Sequence, residues 1–130
     1  MRAALGLTVA GLLAGGLVGL APTSASAAYA TVTRVHDARL QVCRATVGGD
    51  PAIRFRVDNR RARHAHEGGV YRNRGGSTQS FRVRAAAGRT SSVRTVTVRS
   101  SDRLDSYLGD VDGPGAGGGF SRGELPRCGS

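Results

Sequence analysis

Lysine and tryptophan are absent from the 130-residue chain, methionine occurs once and cysteine twice. With only three phenylalanines and three tyrosines, aromatic platforms for stacking bases are nearly missing, which argues against sequence-specific recognition of nucleic acid. Two isolated cysteines lack the paired spacing of a zinc site. No Gly-x-Ser-x-Gly elbow, nucleophilic cysteine motif or constrained carboxylate pair occurs, so no hydrolytic constellation is legible. After residue 27 no hydrophobic period of 3.6 residues is sustained, which excludes a helical domain.

What is present begins with an apolar run. Met1 and Arg2 precede "AALGLTVAGLLAGGLVGLA", which holds no charge, and "PTSASA" then ends in a small-x-small pattern. This reads as a signal peptide over residues 1–27, cleaved before Ala28. An uncleaved membrane anchor competes, since about 18 apolar residues can span a bilayer, but the glycines, Pro22 and Ala25-Ser26-Ala27 favour cleavage. Residues 28–130 are then one domain, too short for two separate cores. That stretch contains only 22 Val, Ile, Leu, Phe and Tyr residues, so the expected core is thin. Cys43 and Cys128, an even count in an exported chain, are expected to form a disulfide that pins the C-terminus.

All 19 basic residues are arginine, against nine carboxylates. A GC-rich genome accounts for arginine in place of lysine, though not for the net charge. From Arg54 to Arg99 there are twelve arginines but only Asp58 and Glu67. Such asymmetry points toward an acidic partner.

Period-two alternation marks "YATVTRV" from Tyr29, "RLQVCRATV" from Arg39, "AIRFRVD" from Ala52, "VYRN" from Val70, "STQSFRVRA" from Ser77 and "SVRTVTVRS" from Ser92. These are expected strands. "RLDSYLGDV" is a seventh strand or a helical turn, and "GFSRGELPRC" a returning segment. Turn material separates them at short intervals, with 109–119 expected as a glycine-rich loop. The fold class is therefore all-β, an antiparallel β-sandwich of about seven strands.

The cysteine-bearing strand, "IRFRVDNRRAR", "FRVRAAAGRTSSVRTVTV" and the terminal cysteine together resemble small secreted immunoglobulin-like sandwich domains of GC-rich bacteria. In these a "VDN" strand end and an "AGRT" turn before a valine-rich strand recur. The resemblance covers roughly residues 39–128 and implies a fold and an envelope or extracellular setting; it carries over no catalytic residue. The chain departs from the pattern where "HAHEGGVYRNRGG" lengthens the approach to Phe81 and "GDVDGPGAGGG" replaces a compact hairpin.

Alternation sends Ile53, Phe55 and Val57 to one side and Arg54 and Arg56 to the other; Arg82 and Arg84 likewise oppose Phe81 and Val83. Joined at one end by Arg60, Arg61 and Arg63, these arginines are expected to form one outward face for a polyanion, since the guanidinium fork suits phosphate and carboxylate. The competing reading is a solvated charged surface with no particular ligand. His64 and His66 lie two apart, a spacing from which two imidazoles reach one Zn²⁺ or Cu²⁺. No third ligand lies at a recognised spacing and four nearby arginines repel a cation, so no metal and no cofactor is expected and the stretch reads as a solvated loop. "DVDG" fails both ends of the calcium hand-loop pattern, and "LPRCGS" lacks the threonine, apolar segment and basic tail of a sortase signal.

The expectation is a non-enzymatic, secreted envelope or extracellular binding module. Its partner is an anionic envelope polymer or another secreted protein; it meets the membrane only through its signal peptide. The alternative is a structural or protein–protein interaction module with no polyanion ligand.

Overall fold

Three alternating runs separated by tight turns become one meander: β1 (Ala30–Val35), β2 (Ala38–Val47) and β3 (Asp50–Asp58). The computed structural model describes residues 28–129; the leader read over 1–27 lies outside the described residues. Between β2 and β3 the two-residue loop Gly48-Gly49 has φ of 57° and 84°. Positive φ at both central positions is what a type I′ hairpin requires, and its twist matches that of the strands it joins. The same solution recurs at Gly75-Gly76, joining β4 (His66–Arg74) to β5 (Ser77–Ala85).

The next two strands are reached by crossing between layers, and the last by a hairpin. β6 (Arg94–Thr97) returns to the free side of β3, β7 (Arg103–Asp110) lies against β4, and β8 (Gly115–Phe120) lies outside β7. Two antiparallel sheets of four result, in the orders β1-β2-β3-β6 and β5-β4-β7-β8. The fold is an all-β sandwich.

Among the described residues eight strands form where about seven were expected, and the difference lies in the glycine-rich stretch. Only residues 111–114 make the turn that was read over 109–119; β7 runs on through Asp110 and "GAGGGF" is strand β8. A run of glycines shows no hydrophobic alternation, so its backbone pairing with β7 was invisible as a pattern. β4 likewise begins at His66 rather than Val70, and "GFSRGELPRC" continues from the end of β8 through a 3₁₀ turn, Arg122–Glu124, instead of returning as a full strand.

The sheets close over Leu40, Val42, Ile53, Phe55 and Val57 on one side and Val70, Val83, Leu104 and Leu108 on the other, all buried. Gly68 sets their approach: a Cβ there would lie 2.9 Å from Val57 Cγ2 and 3.1 Å from Leu108 Cδ1. The hydroxyls of Thr33 and Ser106 hydrogen-bond across the gap. Asn59, fully buried, holds the corner where the chain leaves β3. Its side-chain nitrogen Nδ2 donates to the carbonyls of His64 (2.8 Å) and Ala86 (3.0 Å), and its main-chain carbonyl accepts from the backbone N–H groups of Ala62 and Gly88, both at 3.1 Å. The "VDN" and "AGRT" segments are thereby tied together.

The chain's last described residues complete the first sheet. Past the start of β1, the flank of β2 at Arg44 is taken by the tail: Arg44 N–H donates to Pro126 O and Cys128 N–H to Arg44 O, each at 2.8 Å. Leu125 is buried beneath this segment, and the Cys43–Cys128 disulfide closes it, linking positions 85 apart in sequence.

Candidate anion-binding surface

The arginines expected to share one face divide between two. Arg54 and Arg56 project from β3 on the outside of the first sheet, whereas Arg82 and Arg84 project from β5, the far edge of the second. The chain changes layer at the Asn59 corner, so the two pairs face away from each other. Alternation distinguishes inside from outside along a strand but does not say which sheet the strand joins.

Their neighbours divide them further. Arg60 is bound by Asp58 through two hydrogen bonds, 2.9 and 3.0 Å. Those bonds hold the Asp58 carboxyl below its ordinary range against the opposing effect of burial. Arg61 and Arg63 are exposed on the corner loop. Arg82 reaches Glu67 at 3.3 Å, and Arg84 lines a shallow cleft with His64, Asp110 and Asp112. Arg56 donates to Gln41 Oε1 at 2.9 Å and places its guanidinium 4.2 Å from the Tyr29 ring centroid, a cation–π geometry.

Some arginines serve the fold itself. On the side where edges β5 and β6 meet, Arg72 and Arg94 lie 5.1 and 5.3 Å from the Phe81 ring, and they donate to the carbonyls of Thr97 and Arg82, respectively. Arg74 grips Asp102 through two bonds of 2.7 and 2.8 Å. Together with a backbone bond from Arg99, that grip lowers the Asp102 carboxyl to about 2 in spite of burial.

Across the outside of the first sheet the register sets Arg56 beside Gln41, and Arg54 between Cys43 and Thr95; Arg39 stands beside Asp58. Arg54 and Arg56 are therefore neighbours about 7 Å apart along the strand with no acid between them. Past Arg54 a cleft of about 470 Å³ opens beside the disulfide, lined by Arg44, Arg54, Arg122 and Arg127. Among the described residues no carboxylate lines it, and none of the four guanidinium groups is in an ion pair.

Arg44, Arg122 and Arg127 lie outside the alternating runs "IRFRVD" and "FRVRA" and the loop between them, on which the expected face rested. A signal existed: Arg44 follows one cysteine and Arg127 precedes the other, so a bond between the cysteines brings the two arginines together.

The histidines do not share a side. His64 is exposed, while His66 is only 2% accessible and opens strand β4. Its Nδ1 lies 3.0 Å from the His64 carbonyl and its Nε2 faces Asp110, whose other carboxylate oxygen is 4.0 Å from His36 Nε2. His66 is thus a buried polar link between β4 and the end of β7, not part of a solvated loop. Among the described residues no group of three or more His, Cys, Asp or Glu side chains is placed to hold a metal ion.

The chain matches no protein-family model, no curated protein and no solved structure.

Proposed function

We propose that this chain is a secreted, non-enzymatic binding module of immunoglobulin-like type, holding an acidic envelope or extracellular polymer on the outside of its β1-β2-β3-β6 sheet. The observation that carries the reading is the pair Arg54 and Arg56, unscreened by any acid between them and continuous with the arginine cleft beside the disulfide, which no carboxylate of the described residues lines. Guanidinium forks in that setting favour phosphate and carboxylate oxygens, and a concave cationic surface concentrates polyanions.

Topology supports the immunoglobulin-like assignment. In that arrangement strands B and E adjoin in one sheet while C, F and G adjoin in the other. With β3 as B, the neighbours β3-β6 and β4-β7-β8 follow the same order, and β1 and β2 precede it. The apolar leader and the single disulfide support export to an oxidising compartment.

The test is retention of the oxidised mature protein on isolated anionic wall material, titrated with salt beside an unrelated protein of equal net charge. Exchange of Arg54 and Arg56 to Gln should release the protein at lower salt, whereas exchange of Arg82 and Arg84 should change elution little. If both pairs behave alike, or the control elutes with the wild type, the arginines act only through bulk charge.

A second reading, a structural or protein–protein module without a polyanion ligand, is favoured by the unpaired edge of β8. An extended partner segment can add to such an edge through backbone hydrogen bonds. Capture of that kind would resist moderate salt and depend on residues 115–120.

A further inference from the structure

The four-arginine cleft beside Cys43–Cys128 differs from the other basic surface of the molecule. Its groups come from separate pieces of chain: Arg44 from β2, Arg54 from β3, Arg122 from the 3₁₀ turn and Arg127 from the tail. Arg122 is fixed without a carboxylate, since its Nε donates to Ala52 O at 3.0 Å and one terminal nitrogen to Ala45 O at 2.7 Å. Arg44 carries a buried Nε with no partner among the described residues. A buried charged donor without an acceptor is costly, and like charges gathered in a concavity raise one another's energy. A bound anion relieves the repulsion among them.

We propose that this cleft is a seat for a phosphate group. The proposal rests on the polyanion reading above and names the chemistry that the cleft selects. A carboxylate has two oxygens and one charge, so it satisfies two forks at most. A phosphate monoester carries about −1.5 to −2 at neutral pH and three acceptor oxygens, and it can accept from forks approaching on several sides. The volume, about 470 Å³, lies within the ordinary range of small-ligand sites. Phosphate therefore fits the charge and the number of donors around the cleft better than carboxylate does.

The disulfide belongs to this site. Arg127 stands next to Cys128, and Arg44 next to Cys43, so the bond that joins the two cysteines also holds the backbone of two of the four arginines side by side. The bond thus restrains the backbone on both sides of the cleft.

The experiment is an NMR titration of the oxidised mature protein with inorganic phosphate, with sodium acetate, and with a long-chain polyphosphate at matched phosphate concentration, all at constant ionic strength. Saturable phosphate binding is expected, with acetate weaker. Arg54→Gln and Arg127→Gln should each weaken it about tenfold or more, the cost of losing a charge-assisted hydrogen bond, and Arg84→Gln, on the other sheet, should leave it within about twofold. Neither Arg54 nor Arg127 makes a side-chain hydrogen bond among the described residues, so both variants are expected to fold; Arg54→Lys keeps the charge without the fork and should give an intermediate loss. Free phosphate and polyphosphate saturating alike would identify a single phosphate group as the ligand, while binding of polyphosphate alone would place recognition in the polymer and overturn the seat. Equal binding of acetate would overturn the phosphate assignment. No saturable phosphate binding, with wall retention still dependent on Arg54 and Arg56, would overturn the seat and leave the polymer reading standing; loss of both would end both.

Discussion

Reduction of the Cys43–Cys128 bond frees two positions 85 residues apart in sequence. In the chain-entropy model, a cross-link closing a loop of that length removes about 4.5 kcal/mol of denatured-state freedom. In the native state the tail keeps its two 2.8 Å backbone bonds to Arg44 and the buried Leu125, so folded geometry changes little and most of that energy should appear as lost stability. With a urea m-value of about 2 kcal/mol/M for a domain of this size, the unfolding midpoint should fall by about 2 M. The assay is a pair of urea titrations of the mature protein, oxidised and reduced, followed by far-UV circular dichroism. The m-value should rise on reduction, because the released denatured chain exposes more surface. The double variant Cys43→Ala, Cys128→Ala should lose slightly more than the reduced protein, since the fully buried Cys43 side chain leaves a small void. A midpoint shift below about 0.5 M, roughly 1 kcal/mol, would refute the loop-closure reasoning.

Asn59→Ala strips hydrogen bonds from the His64 and Ala86 carbonyls at the corner and should cost about 2–4 kcal/mol by urea titration; a loss under about 1 kcal/mol would mean that water replaces the amide. Gly68→Val drives a side chain between Val57 and Leu108 and should cost about 3 kcal/mol or prevent folding. Gly118→Ala, with nothing within 4 Å of the added carbon, should be neutral or slightly stabilising. The Asp102 carboxyl, lowered from 3.8 to about 2 chiefly by its hydrogen bonds from Arg74, contributes stability that is complete above about pH 4 and lost as pH falls through 2. Because the Arg74 side chain is 32% exposed, solvent screens the pair and the expected loss is about 1 kcal/mol. Asp102→Asn should flatten that part of the stability–pH curve, and parallel curves for wild type and variant would refute the assignment.

The inward and outward sides of β2, β3 and β5 were legible because each buries one face, and burial of one face imposes alternation. The disulfide was legible from the cysteine count. Three other features were not. β8 carries four glycines in six residues, so its pairing leaves no trace in side-chain pattern. His66 lies in a sequence rich in polar residues, and only its pairing opposite Asp110 shows that it faces inward. The separation of Arg54 and Arg56 from Arg82 and Arg84 depends on which sheet receives the β4–β5 hairpin, and that is decided by long-range packing at Asn59 and Gly68. The anion cleft is the extreme case, because the tail that supplies Arg122 and Arg127 is distant in sequence from both strands it touches.

β8 has a kinetic consequence. Glycine gives up more backbone freedom on ordering than any other residue, and apart from Phe120 this strand has little side chain to offer the core. Its opening free energy therefore lies at the low end for the molecule, and its amides should exchange with solvent sooner than those of β3 or β4. Each opening uncovers the outer ladder of β7 while Leu104 and Leu108 stay packed from the inner side. The native ensemble thus alternates between two edges: one nearly bare of side chains, and one bearing the hydroxyl of Ser106 and the ring of Tyr107.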